Sequence, residues 1–106
     1  MLLFTKNSFV SVVQHRDAPH LLLVRARRKA DLIRLFPAMK GAVTTNAQAD
    51  YKYRLMVSKD DLKEVMAKYI SASLAYDNFK AAQERDSLDW TNFLRRVWEA
   101  GYLMQK

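Results

Sequence analysis

The sequence predicts an α+β domain in which an antiparallel sheet of about four strands packs against helices as a two-layer sandwich. One run, residues 51–57, alternates apolar and polar side chains with the period of a half-buried strand. The segment that follows has apolar residues at helical spacing, and the elements come in the order ββαββα with two further helices. Adjacent strands separated by helices favour an antiparallel sheet with helices on one face. The nearest architecture expected is a ferredoxin-like relative.

The first two strands are predicted as a hairpin. Residues 9–15 (FVSVVQH) and 21–27 (LLLVRAR) are both rich in strand-forming side chains, and the turn-forming run Arg16-Asp17-Ala18-Pro19 separates them. The segment from Ala30 to Phe36 then predicts a short helix. Pro37 marks its end, because the residue before a proline disfavours helical geometry.

The third and fourth strands are predicted after Gly41. Residues 42–47 favour an extended chain, and residues 51–57 (YKYRLMV) are the clearest strand of the sequence. In that strand Tyr51 and Tyr53 are expected on the face toward the helices. Lys52 and Arg54 are then expected on the opposite face.

Three helices are predicted in the second half of the chain. Ser58 stands three residues before Asp61, as in a capping box, and begins an amphipathic helix. A short helix is expected to begin near Tyr76 and run to about Gln83. Asp86 or Ser87 is expected to cap a last helix, which frays near Gly101. Its apolar stripe comprises Trp90, Phe93, Leu94, Val97 and Trp98.

Composition indicates one globular domain over residues 1–106. Half of the residues are hydrophobic and 27% are charged, and no linker or repeat divides the chain. The absence of cysteine excludes a disulfide framework and a thiolate zinc site, and it favours a cytoplasmic location. Lys6 interrupts the apolar N-terminus before it reaches the length of a signal segment, and no stretch approaches the ~20 apolar residues of a membrane span. No membrane partner is expected.

Positive charge is concentrated in the first half of the chain. Residues 1–57 contain ten Lys or Arg and three acids, whereas residues 58–106 contain eight of each, so the net charge of +7 belongs to the first half. Such an asymmetry favours an acidic partner, with nucleic acid the commonest. The alternative is that the charge serves solubility alone.

A basic sheet face is the best candidate binding surface. The alternation that points Lys52 and Arg54 away from the helices does the same for Arg25 and Arg27. Such a face would follow phosphate groups electrostatically. The candidate binding residues are Arg25, Arg27, Arg28, Lys29, Lys52 and Arg54. Alternatively, these charges only solvate an open face or pair with acids such as Asp50.

Catalytic and metal motifs are weak. His15 and His20 flank the first turn, but zinc takes three or four ligands and only Asp17 is near them, so two turn histidines are favoured. A metal-independent ribonuclease or toxin using one of these histidines with Arg54 is a further alternative. No glycine-rich phosphate loop or nucleophile motif occurs, so the sequence predicts no cofactor and favours a protein that is not an enzyme.

Aromatic residues are dense in the last third of the chain. Tyr76, Phe79 and Trp98 could form a ligand pocket with Asp77, Asn78 and Lys80. The favoured alternative packs Tyr76 and Phe79 on the last helix, with Asp77 or Asn78 capping a turn.

Five tracts resemble a small uncharacterised bacterial and phage-borne family, a domain of unknown function. They are FVSVV at 9–13, VRAR at 24–27, ADYKYR at 49–54, YDNFK at 76–80 and VW at 97–98. The resemblance covers nearly the whole chain. It implies a self-contained domain in bacterial or mobile-element genomes and no established activity.

Three functions follow as hypotheses. The first is a non-catalytic protein that presents its basic sheet face to nucleic acid or a nucleoprotein complex. The second is a phage or mobile-element protein that inhibits a host protein complex, of the anti-defence or anti-CRISPR type. The third is the ribonuclease. A homodimer is expected if an edge strand pairs with a second copy, or if a second copy covers the sheet face, which also carries Leu23 and Met56.

Overall fold

A five-stranded antiparallel sheet organises the protein, as seen in a computed structural model that describes residues 1–105. Its spatial order is β1-β2-β3-β5-β4. The strands are β1 (Leu2–Phe4), β2 (Phe9–Gln14), β3 (Leu21–Ala26), β4 (Thr44–Thr45) and β5 (Tyr53–Ser58). The predicted hairpin is confirmed, with Val12 opposite Val24. The strand β3 is therefore central, between β2 and β5.

In the described residues 1–105, four α-helices and one 3-10 helix connect and cover the strands. They are α1 (Lys29–Leu35), the 3-10 helix (Pro37–Ala42), α2 (Lys59–Ala72), α3 (Phe79–Ala82) and α4 (Leu88–Tyr102). The capping box of α2 is formed as the sequence predicts, and Asn78 and Ser87 cap α3 and α4 through their side chains. Gly101 lies inside α4 instead of fraying it.

One face of the sheet carries the main core. Val10, Val24 and Leu55 are nearly inaccessible to solvent. Leu32 of α1 and Phe36, the C-cap of α1, lie against them. On the same side α2 contributes Leu62 and Val65. Burying an aliphatic side chain of this kind contributes about 1.5–3 kcal/mol, so this cluster is the main source of stability.

An aromatic cluster covers one end of the opposite face. Phe4 and Phe9 are cross-strand partners, and alternation points them away from the side that carries Val10. Phe93 of α4 stacks on Phe4 with 5.5 Å between ring centroids, and Trp90 lies 5.6 Å from the same ring. The helix α4 therefore packs on the side of the sheet that α1 and α2 leave open.

The predicted α+β class is confirmed, with four differences in detail. The sheet has five strands because the three-residue β1, too short to show a pattern, pairs with β2. Residues 42–47 are extended only at Thr44–Thr45, since Pro37 begins a 3-10 helix that reaches Ala42. The helices do not all lie on one face. The order of elements also departs from the βαββαβ of ferredoxin-like domains.

Within residues 1–105, no helix combines the length and the apolar character needed to cross a bilayer.

Candidate functional site

Two arginines face each other across the centre of the sheet. Arg25 of β3 and Arg54 of β5 are direct cross-strand partners, on the side opposite Val24 and Leu55. The Arg25 Nη2 donates a hydrogen bond to Ser11 Oγ on the next strand at 2.8 Å, and Arg54 Nε donates to the Tyr51 carbonyl at 3.4 Å. Like charges directly opposite each other destabilise a sheet. The pair therefore concentrates positive potential on this face of the sheet.

The Tyr51 ring contacts a third arginine, Arg27, as well as Arg25 of this pair. The guanidinium carbons of Arg25 and Arg27 lie 4.9 and 4.8 Å from the centroid of the Tyr51 ring. Such cation–π contacts hold long side chains without removing their charge. Arg25, Arg27 and Arg54, called the arginine patch below, thus form one group around Tyr51.

The expected position of Tyr51 is wrong. Alternation predicts Tyr51 beside Tyr53 on the core face, but β5 begins only at Tyr53, so Tyr51 lies outside the regular alternation. Tyr53 does lie partly buried on the core side. Because the Tyr51 ring contacts Arg25 and Arg27, the two tyrosines do not share a face.

No carboxylate neutralises the arginine patch in the described part of the chain. Every ion pair found there involves other cations, namely Lys6, Arg28, Arg34 and Lys63. Asp50, the acid nearest in sequence, accepts a hydrogen bond from the Tyr51 backbone instead. The suggested pairing of the patch with Asp50 is therefore not formed.

Arg28 leaves the predicted surface for an ion-pair network. Its guanidinium lies 2.7 Å from Asp31, 3.5 Å from Asp86, and 4.2 Å from the Trp90 ring centroid. Arg34 bonds the same two acids, at 3.4 Å to Asp31 and 2.8 Å to Asp86. Arg28 is thus committed to joining β3, α1 and the segment before α4.

The two acids of this network have opposite environments. Burial raises the pKa of Asp31 above its ordinary value, although hydrogen bonds from Arg28 and the Phe9 amide oppose the shift. Asp86 is more exposed, and the hydrogen bond from Arg34 lowers its pKa. Asp31 is the more deeply placed of the two, with a side chain only 3% exposed.

Lys29 and Lys52 lie outside the arginine patch. Lys29 is exposed at the first position of α1, and Lys52 precedes β5 with its Nζ 5.5 Å from the Tyr53 ring centroid. Of the six candidate binding residues, the structure brings three together around Tyr51. Their role in binding stays a prediction.

The histidines belong to the far end of the hairpin. His15 Nδ1 accepts hydrogen bonds from the backbone N–H groups of Asp17 and Ala18, both at 3.1 Å, so His15 helps to close the turn. Leu21, which accepts a backbone bond from His15, is four residues from Arg25, or about 13 Å along the strand. The structure therefore does not bring the histidines beside Arg54 as the ribonuclease alternative needs.

The aromatic segment after α2 is mainly structural. Phe79 stacks on Trp98 at 5.8 Å between centroids, Asn78 accepts from the Ala81 amide, and the Tyr76 and Tyr69 hydroxyls lie 3.0 Å apart. Burial and the bond to Tyr69 raise the pKa of Tyr76 to about 12. An open depression of about 410 Å³ lies beside Trp98 and includes Lys80.

Sequence reasoning missed two residues that organise the patch. Ser11 is 3% exposed and holds Arg25 from the neighbouring strand. Its position opposite Arg25 could have been found by aligning the two strands of the hairpin. No comparable sequence pattern predicts that Tyr51 contacts the arginines, because its position depends on where β5 begins.

The chain matches no protein-family model, and comparisons with curated proteins and with solved structures gave no match. The resemblance to the bacterial and phage-borne family therefore stays a prediction.

Proposed function

We propose that this protein is a non-catalytic binding protein that presents the arginine patch to nucleic acid, alone or within a nucleoprotein complex. The observation that carries the proposal is the cross-strand pair Arg25 and Arg54, which has no acidic partner in residues 1–105. A polyanion would supply the missing counter-charge.

Phosphate groups suit this surface for a physical reason. A guanidinium donates charge-assisted hydrogen bonds to phosphate oxygens, Arg25 through the N–H groups that Ser11 does not take, and binding releases the counterions condensed on the nucleic acid. The same contact relieves the repulsion between Arg25 and Arg54. Binding through the patch should therefore be strongly salt-dependent and little dependent on base sequence.

The test compares two variants of equal charge. Arg25→Ala with Arg54→Ala removes two cations from the patch, and Lys59→Ala with Lys63→Ala removes two exposed cations from α2. Binding to fluorescent oligonucleotides is followed by anisotropy over a salt series. We expect the patch variant to make the slope of log affinity against log salt less steep by about 1.4 for a single strand or about 1.8 for a duplex, and the control variant to change it little.

Equal losses in the two variants would mean that only net charge matters, and would contradict a role for the patch. No binding to any nucleic acid at about 50 mM salt would contradict the proposed function itself. Urea unfolding of each variant shows whether the fold is kept.

A second candidate is inhibition of a host protein complex. It is favoured by the exposed apolar side chains next to the patch, Val13 and Met56, because Arg and Met are enriched in protein interfaces. A pull-down from bacterial lysate, with and without nuclease, separates the two candidates. One protein that is retained after nuclease treatment and lost in the Arg25→Ala, Arg54→Ala variant would favour inhibition.

A further inference from the structure

The arginine patch borders a row of apolar side chains. Val13, Leu23 and Met56 are consecutive cross-strand partners on the same side of the sheet as Arg25 and Arg54. These three residues are called the apolar row below. Val13 is 37% exposed and Met56 is 50% exposed, so the row is accessible to a ligand.

The two rows run side by side across the three central strands. Ser11, Arg25 and Arg54 form one line of cross-strand partners, and the apolar row is two residues farther along each strand. Two residues of a strand span about 7 Å. A ligand lying across the strands therefore meets the charged pair Arg25 and Arg54 on one side and a line of hydrocarbon on the other.

The arginines and the apolar row together distinguish single-stranded from double-stranded nucleic acid. A duplex stacks its bases inside and presents phosphates and polar groove edges, which would leave the apolar row against charged or hydrated groups. A single strand can place its phosphates on the arginine patch and turn unstacked bases toward the apolar row, where the bases meet aliphatic and thioether side chains and no aromatic ring. A single strand therefore fits both lines better than a duplex does.

Charge argues against a second copy of the chain on this face. In a twofold dimer the same surface meets itself, so the arginine patch would approach its own copy or lie close to it. Within one chain, no acid of the described residues lies within ion-pair distance of the patch, so each copy would bring its patch without a neutralising partner of its own. An anionic occupant is favoured instead.

We propose that the sheet face binds single-stranded nucleic acid, with phosphates on the arginine patch and bases on the apolar row. This inference rests on the proposed function and narrows it to one form of nucleic acid. The apolar row supplies the preference for single strands, and the arginine patch supplies the salt dependence.

The test uses Met56→Ser, because Met56 is half exposed and its replacement leaves the core intact. Ile70→Ser is the matched control, since Ile70 is an exposed apolar residue of α2 and is 56% exposed. Affinities are measured for single-stranded DNA, single-stranded RNA and duplex DNA of about 16 nucleotides. The single-stranded DNA and RNA arms show which sugar is preferred.

We expect Met56→Ser to weaken single-strand binding about five-fold with an unchanged salt slope, and to leave duplex binding and the control unaffected. Equal binding of duplex and single strand, or no effect of Met56→Ser, would overturn the inference. The proposed function would survive that result if Arg25→Ala with Arg54→Ala still lost binding. A dimer in solution that Met56→Ser dissociates would also overturn it.

Discussion

Asp86 links the two halves of the chain through Arg34. The Arg34 Nη2 lies 2.8 Å from Asp86 Oδ2, and Arg28 lies 3.5 Å from the same carboxylate. This contact fixes the segment before α4 to α1. Because Arg34 lowers the pKa of Asp86, its stabilising effect has a definite pH dependence.

Asp86→Asn should reduce stability near neutral pH by about 0.5 kcal/mol, as expected of a partly exposed ion pair. Because the pKa of Asp86 is lower in the folded protein, the stabilisation by its carboxylate is fully present above pH 3.8, the ordinary aspartate pKa. That stabilisation is lost as the pH falls through the lower pKa of the folded state. Urea unfolding over a pH series measures the difference from the wild type. We expect that difference to disappear in acid.

Asp77→Asn is the control, since Asp77 is exposed and forms no ion pair within the described residues. A pH-independent loss in Asp86→Asn would show that the charge of Asp86 is not what stabilises the contact.

Single residues also show what pattern alone could not predict of the site. Arg25 and Arg28 belong to one basic run, yet one lies in the arginine patch and the other is bound by Asp31 and Asp86. Alternation predicted the face of Arg25 because β3 is regular there. Arg28 pairs most closely with Asp31, three residues away, and its second partner Asp86 is 58 residues away in the sequence, which no local pattern reports.

The stability of the helix α2 depends on the hydrogen bonds at its N-terminal end. None of its side chains is fully buried, so packing holds this 14-residue helix less firmly than it holds the core strands. Ser58 Oγ accepts a hydrogen bond from the Asp61 amide at 3.0 Å, and Asp61 Oδ2 accepts from the Ser58 amide at 3.1 Å. This reciprocal pair satisfies two N–H groups at the junction with β5.

Ser58→Ala should therefore cost about 1 kcal/mol of unfolding free energy. The reason is the loss of the acceptor for the Asp61 amide at a helix end that packing supports weakly. The midpoint of urea unfolding, read by circular dichroism, measures the effect. Ser71→Ala, in the exposed part of the same helix, should be neutral, and an equal loss there would contradict a capping role.

Element by element, regular segments were predictable and irregular ones were not. The strands β2, β3 and β5 are predicted to within two residues, and the helix α2 begins where its capping box predicts. The strand β1 has only three residues and exists because β2 offers it a free edge. The 3-10 helix follows Pro37, where local geometry competes with the extended preference of the residues after Gly41.

At the scale of the whole molecule, one aromatic cluster joins the ends of the chain. Phe4 contacts Phe9, Phe79, Trp90 and Phe93 with ring centroids 5.4–5.6 Å apart. Both tryptophans of the protein lie in α4. Their fluorescence therefore reports directly on whether α4 is packed against the sheet.

Phe4→Ala should destabilise the protein by about 3 kcal/mol, because it removes the ring on which four others pack. Tryptophan emission in the folded variant should shift to longer wavelength as α4 loosens. Tyr102→Ala, which removes an exposed ring at the end of α4, should change neither property. An unshifted emission in Phe4→Ala would show that α4 is held by other contacts.

The side of the sheet that α4 covers could not be predicted from the sequence, and the reason again involves the whole molecule. Its apolar stripe was evident, but a stripe does not say which face of a sheet it covers. That choice follows from Phe4 and Phe9. Phe9 points away from the main core by alternation with Val10, and Phe4 lies beside it because β1 pairs with β2. The extent of the open face, and with it the arginine patch, depends on this pairing.

The contacts between residues 5–6 and 83–84 also affect how the protein folds during its synthesis on the ribosome. The Glu84 amide bonds to the Lys6 carbonyl, and Gln83 bonds to Thr5 across 78 residues. During synthesis the sheet can form while Phe4 and Phe9 still lack the helix that covers them. The nascent chain thus exposes aromatic surface until its last helix is made, and is most prone to aggregation in that interval.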